Sequence, residues 1–463
     1  MNDDPRMPLA SMTEQWTAAL GQLGVLDAQT FSQLERMATA RWEESVRQLT
    51  EAPAILGDLG ERLAKADPER MDRLVQSMAE EVLTDLEAIK SAGTKLDLEP
   101  LAAAWRAVAS GAADEAARRT VDRLLRAMAT KAKHGPEYYA DPAATPVGQT
   151  PRDLVHRQGR FHLFRYVPPE RSPDRRGDPV LLVYSVINKP YILDLVPGFS
   201  FVEHLLAQGL DVYLIEWGET EPGDRETTLD SYIEPGIQGC VDYIRRRTDA
   251  ERVSLFGHCI GGNLALLYTA LHPGDVSRLI TLTTPVTAAK GGVVALWTDR
   301  DLFPLDAIID TYGHMPAKLI RYTFMAIKPY YEVLKWKMFL ENLGNEQVMA
   351  LFYPVDRWAN ENVDIPGEVF RKFIIEVFHE ERFGRGETVI NGRRADLKAI
   401  TCPILNLAAS KDWIVVPDSA KVLADLVGSA DVRFTLIEGA HVAIMIDPRA
   451  RKHWTAMSDF LLE

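Results

Sequence analysis

Cysteine is scarce in this chain: three occur in 463 residues, Cys240, Cys259 and Cys402. No two stand at metal-ligand spacing, and three make no disulfide framework, so no metal is expected. A reduced, cytoplasmic compartment follows. Positive charge is also in short supply. Lys and Arg number 52 against 66 Asp and Glu, a formal charge of −14. No basic stripe is left to neutralise a phosphate backbone, which excludes a nucleic-acid partner. A few local Arg or Lys residues still suffice for a small anionic substrate. No run of about 18 apolar residues occurs, so no transmembrane segment is expected. The opening residues, MNDDPRMPLASMTEQW, lack the basic start and apolar core of a secretory signal. Disorder is excluded as well, because 46% hydrophobic and 25% charged residues is ordinary globular composition.

The residues that are present divide the chain by texture. Up to about residue 135 it is rich in Ala, Leu, Glu and Arg, with apolar residues at helical spacing. Val82, Leu86 and Ile89 form one stripe; Leu101, Ala104, Trp105 and Val108 form a second; Val121, Leu124, Leu125 and Met128 form a third. Breaks near Ala52-Pro53, Asp67-Pro68 and Gly93-Thr94 predict three or four helices. The stretch HGPEYYADPAATPVGQTP carries four prolines and two glycines and suits a boundary. The reading is an N-terminal all-helical domain over 1–135, a linker over 136–159 and a catalytic domain over 160–463.

Beyond the linker, strands and helices alternate. FHLFRYV (161–167) is expected as an edge strand. PVLLVYSVI, DVYLIEW, RVSLFGH, RLITLTTP, PILNLAAS and VRFTLIEG read as strands, and the apolar, β-branched ones as buried on both faces of a parallel sheet. Alternating strands and helices predict a doubly wound α/β sheet. Residues 286–395 interrupt the rhythm. They hold Trp297, Phe303, Tyr322, Phe324, Tyr330, Tyr331, Trp336 and Phe339 and read mainly as helices, a cap over the sheet's functional edge.

The segment Gly257-His258-Cys259-Ile260-Gly261-Gly262 follows a strand and opens a helix. It is a Gly-x-Ser-x-Gly nucleophile elbow with Cys in the serine position, which places the chain in the α/β-hydrolase fold. Glycines are required because a side chain there would meet the neighbouring strand and helix. The helix N-terminus behind the turn favours a thiolate and offers N–H groups to an oxyanion. This fold orders its residues nucleophile, acid, histidine. Asp412 and His441 each stand just past a predicted strand, on the sheet edge that carries Cys259. His441 is expected as the base and Asp412 as its orienting acid. His258, adjacent to Cys259 on a tight turn, is expected to point away, and Cys240 and Cys402 to be buried apolar residues. The oxyanion hole should pair the N–H of Ile260 with one from the loop Ile187-Asn188-Lys189-Pro190-Tyr191, for which Ile187 is the candidate.

These residues resemble the polyhydroxyalkanoate synthases, whose signature is Gly-x-Cys-x-Gly-Gly. Val186 to Leu195 and Leu206 to Gly218 are similar to further segments of that family, and GEVFRKFIIEVF with GETVINGRRADLKAITCPILNLAASKD looks most like its short, two-subunit catalytic chains. The resemblance covers about residues 145–463. Two places depart from it: the family's Gly-His-Ile-Gly is Ala440-His441-Val442-Ala443 here, and its Asp-His-Ile-Val-Pro is Asp412-Trp413-Ile414-Val415-Val416-Pro417. The resemblance implies polymerisation of (R)-3-hydroxyacyl-CoA on Cys259 with release of CoA, and no cofactor beyond the coenzyme A thioester substrate. It also implies a homodimer or a partner subunit, and contact with the polyester chain and its granule surface. The alternatives on the same scaffold are a Cys-dependent depolymerase, thioesterase or other acyltransferase, and a non-catalytic granule-associated protein.

Overall fold

The structure, a computed structural model, describes residues 147–169, 174–288, 291–327 and 346–463, with four isolated helical positions, Arg73, Ser77, Glu80 and Leu83, before them. The remaining positions of the expected N-terminal helices lie outside the described residues, as do Tyr330, Tyr331, Trp336 and Phe339.

Eight strands form one sheet: β1 (Arg152–Gln158), β2 (Phe161–Tyr166), β3 (Val180–Val183), β4 (Val212–Glu216), β5 (Val253–His258), β6 (Val276–Leu282), β7 (Ile404–Ala409) and β8 (Val432–Ile437). Their spatial order is β1-β2-β4-β3-β5-β6-β7-β8. The pairs β1–β2 and β2–β4 are antiparallel, and every other pair is parallel. Each apolar run read as a strand is one. The edge, however, is β1 rather than β2, and β1 falls within the segment expected as linker. Its sequence, RDLVHRQ, is polar and mostly exposed, so it carries no apolar alternation to mark it. Phe161, Leu163 and Tyr166 of β2 are buried behind it.

Side chains alternate across the central strands, and helices cover both faces. Leu181 and Val183 of β3 share one core with Leu255, Val241 and Ile244 of α2 (Gly239–Thr248), and Leu264 of α3 (Ile260–Leu271). Val180 and Leu182 join the other core, with Phe201 and Leu205 of α1 (Phe201–Ala207). Trp454 and Phe460, near the C-terminus, complete that face.

Between β6 and β7 the described residues are mainly helical: α4 (Leu305–Tyr312), α5 (Ala317–Ile327), α6 (Glu346–Asn360) and α7 (Gly367–Phe373), which runs on as a π-helical turn, Ile374–His379. The short antiparallel pair His314–Met315 with Ile365–Pro366 ties these helices together. Phe303 is buried edge-to-face with Phe370, and Phe324 packs on Trp413 beside Asp412. These helices therefore reach the edge of the sheet where its parallel strands end.

Two glycines let α3 lie against the sheet. A Cβ on Gly261 would stand 2.1 Å from the carbonyl oxygen of Val183, and one on Gly257 would stand 2.5 Å from Gly262 Cα. Both clashes are with backbone, which has nowhere to move. Gly261→Ala should therefore cost about 3 kcal/mol of stability by overpacking. Gly274→Ala, at a position with nothing within 4 Å, should change stability by less than about 0.5 kcal/mol. Urea unfolding of the two variants checks the contrast.

Candidate active site

The sheet's carboxyl edge gathers three side chains from three separate loops. Cys259 caps the N-terminus of α3 with φ 54° and ψ −125°, outside the ordinary regions for a residue with a Cβ. Its N–H donates to Leu282 O at 2.9 Å, and its own carbonyl accepts from Gly262 N at 2.8 Å. The turn is thereby clamped between β6 and the first turn of the helix. Cys259 is 6% exposed. It stands at the N-terminus of α3, the positive end of the helix.

His441 follows β8 and Asp412 follows β7. His441 Nδ1 and Asp412 Oδ2 are 2.7 Å apart. The other carboxylate oxygen accepts from Ile414 N and Val415 N, both at 2.9 Å. Both side chains are buried, so the carboxylate is held by hydrogen bonds where water cannot replace them. With Nδ1 taken by Asp412, the imidazole's other nitrogen is left for the thiol of Cys259. Burial alone would lower the imidazole's pKa. The Asp412 carboxylate and the Cys259 sulfur outweigh burial and push it up to about 10.

The other two cysteines contrast with this arrangement. Cys240 and Cys402 are buried, and burial pushes their thiols up to about 12 and about 11, which leaves them unreactive.

His258 is buried beside His441. Burial, and then the neighbouring charge of His441, hold its ring well below the usual imidazole range, so it stays uncharged. It does not simply point away. Its ring stacks on Tyr184 at 5.0 Å, meets the His441 ring edge-on at 5.3 Å and contacts Thr283 Oγ1 at 3.4 Å. It is a buried support for the triad histidine. Sequence reading missed Tyr184 and Thr283. Tyr184 lay unremarked within a strand run. Thr283 has φ 45°, which no β-branched residue advertises in sequence.

The loop after β3 lies beside the elbow, with Tyr184 and Val186 buried. Ile187 N–H donates to Ser185 Oγ at 3.3 Å, a long bond to a rotatable hydroxyl. Among the described residues no cluster of three or more metal-ligating side chains occurs. A buried cysteine, an imidazole and a carboxylate in this order can form and break a thioester, with N–H groups nearby for the oxyanion.

Comparison with known proteins agrees with the fold. A family model described as the alpha/beta hydrolase fold matches residues 178–448. The poly(3-hydroxyalkanoate) polymerase subunit PhaC of Allochromatium vinosum is 34% identical over 339 residues, covering 72% of this chain and 95% of its own. The protein of the same name in Thiocystis violacea is 31% identical over 339 residues, with the same two coverages. That of Synechocystis sp. is 32% identical over 324 residues, covering 66% of this chain and 85% of its own.

The raised pKa of His441 has a direction that can be tested. Its proton is bound more tightly folded than unfolded, so the stabilisation is complete below about pH 6.5 and is lost as pH rises through about 10. Asp412→Asn removes the carboxylate. The His441 ring should then titrate at least about one unit lower, read by NMR of ring-labelled histidine. The variant's stability deficit should be largest near pH 6 and vanish above pH 10.

Proposed function

The chain belongs to the poly(3-hydroxyalkanoate) polymerases of the α/β-hydrolase fold, and on that premise we propose that it polymerises (R)-3-hydroxyacyl-CoA by acyl transfer through a thioester on Cys259. The observation that carries this reading is the elbow cysteine beside a histidine held at 2.7 Å by a buried carboxylate.

Cys259 gives its proton to His441, and the thiolate attacks the thioester carbonyl carbon. The oxygen's negative charge is met by N–H groups at Ile260 and in the loop beginning at Ile187. The carbon–sulfur bond to CoA breaks, and the CoA sulfur takes the proton from His441. The chain now sits on Cys259 as a thioester. His441 next accepts the proton of a monomer's 3-hydroxyl, whose oxygen attacks the Cys259 thioester; the bond from the acyl carbon to the Cys259 sulfur breaks, and that sulfur takes the proton from His441. The lengthened chain, still a CoA thioester, reloads on Cys259 and releases CoA. Every exchange between sulfurs is nearly balanced in energy, so the chain end stays activated. An oxygen ester on serine would be a poorer donor. The reaction needs no cofactor, because the thioester carries its own activation.

A small apolar cavity of about 10 Å³ adjoins Ile260, lined by Val186, Leu229, Leu264, Ile365 and Phe370 among others. Residues 1–135 carry more apolar stripe than a few helices bury alone. We assign them to assembly, with a second copy or a partner subunit, and to the surface of the cytoplasmic polymer granule. Among the described residues no helix is long and apolar enough to cross a membrane.

Supplied with 3-hydroxybutyryl-CoA, the chain should release CoA and form polymer; free acid in its place would favour a hydrolase. Cys259→Ala should abolish CoA release while remaining folded, and Cys259→Ser should lose about 100-fold or more, since a hydroxyl depends far more on its base. A chain lacking residues 1–135 should still fold and label at Cys259, because the described sheet and triad lie beyond them. Its polymerisation should show a longer lag or weaker association. Unchanged kinetics and assembly would remove that region's role.

A further inference from the structure

The loop expected to complete the oxyanion hole is held from outside itself. Pro190 has no N–H to contribute, and two of the loop's carbonyls are occupied by cap residues. Trp358, in the last turn of α6, donates its indole N–H to Lys189 O at 2.9 Å. Asn188 Nδ2 donates to Trp358 O at 3.3 Å, so Trp358 both donates to the loop and accepts from it. Just beyond α6, Val363 N donates to Ile187 O at 2.8 Å, and Asn188 and Asn362 pair as an isolated antiparallel bridge. Tyr191 OH donates to Glu361 Oε2 at 2.7 Å. Every residue from Ile187 to Tyr191 except Pro190 therefore bonds to the end of one cap helix or the few residues after it.

Trp358 is 9% exposed, too buried for water to take over its N–H. It also shares one buried core cluster with Tyr184. Tyr184 stacks on His258, and His258 meets His441. One residue thus bonds the oxyanion loop and shares a core with the aromatic support of the triad.

We propose that Trp358 is a positioning residue for acyl transfer: by holding the Lys189 carbonyl, in the peptide that Pro190 closes without an N–H, it anchors the end of the segment that carries the Ile187, Asn188 and Lys189 N–H groups, so that the oxyanion hole is complete only while the cap helix is seated. The geometry favours the oxyanion loop over the triad as the point of action, because that contact is a direct backbone hydrogen bond whereas the triad is reached through two stacked rings. Cap seating and oxyanion stabilisation become a single event, and water meets an incomplete hole whenever the cap lifts. The inference rests on the proposed roles of Cys259 as nucleophile and of the 187–191 loop as an oxyanion donor.

Trp358→Phe in the full chain removes the N–H and keeps an aromatic ring. Two rates decide the matter. Acyl transfer from 3-hydroxybutyryl-CoA, followed as CoA release, develops an oxyanion; alkylation of Cys259 by iodoacetamide does not. We expect kcat for CoA release to fall by about 10- to 100-fold, somewhat less than for loss of a direct oxyanion donor, with KM within about two-fold. The alkylation rate and its pH profile should match the unmodified chain. Asn188→Ala, which breaks the bond to Trp358 O, should show the same split to a smaller degree, and it carries the test if Trp358→Phe does not fold. Unchanged CoA release in the folded variants would overturn the proposal. So would an equal fall in alkylation, which would place the effect on the thiol and His441 instead. Cys259→Ala separates the two levels: if it still releases CoA, the underlying mechanism is wrong. If it is inactive while Trp358→Phe is fully active, only the role of Trp358 fails.

Discussion

At Cys259 the backbone adopts φ 54° and ψ −125°, and the site depends on that turn being held. Such a conformation costs about 1–3 kcal/mol for a residue with a side chain. Thr283, at the end of the adjoining strand β6, has φ 45°, so two strained residues stand side by side. The surroundings over-determine both. Cys259 N–H bonds Leu282 O, Thr283 N–H bonds Leu407 O, and α3 presses so closely on β3 that only glycine fits at position 261. The strain is what lifts the thiol above the sheet edge, at the positive end of the helix.

The electrostatics build on that placement. Asp412 is buried, but its two oxygens take two backbone N–H groups and the imidazole, so its charge is stabilised by fixed donors. That fixed charge raises the proton affinity of His441 and gives the ring one orientation. Beneath it, His258 stays neutral because burial and the charge of His441 act in the same direction. The proton affinities of two adjacent histidines are thereby pushed in opposite directions.

Much of this was legible in the sequence, for identifiable reasons. The elbow betrays itself because close approach demands glycine at 257 and 261, against backbone, and at 262, against the Thr284 side chain. Asp412 and His441 could be found because each follows an apolar strand whose end lies on the functional edge, a matter of topology rather than distance. The strand β1 was missed because an exposed edge imposes no apolar period; Leu154 is 53% exposed. The bonding of Trp358 to Asn188 and Lys189 was illegible for another reason. Asn188 and Trp358 lie 170 residues apart, and an indole N–H aimed at a carbonyl leaves no local pattern. His258 was expected to point away from the site, but the turn sends its ring beneath His441.

The central claim is that acyl groups pass through Cys259, and a substrate that loads but cannot elongate tests it most directly. Butyryl-CoA lacks the 3-hydroxyl, so an acyl group placed on the enzyme has no hydroxyl acceptor. Peptide mapping by mass spectrometry after brief incubation should find a butyryl group on the peptide containing Cys259, with one CoA released per labelled chain, and none on the Cys259→Ala variant. A butyryl group on Cys240 or Cys402, or polymer formed from 3-hydroxybutyryl-CoA by chains that never label at Cys259, would contradict the account.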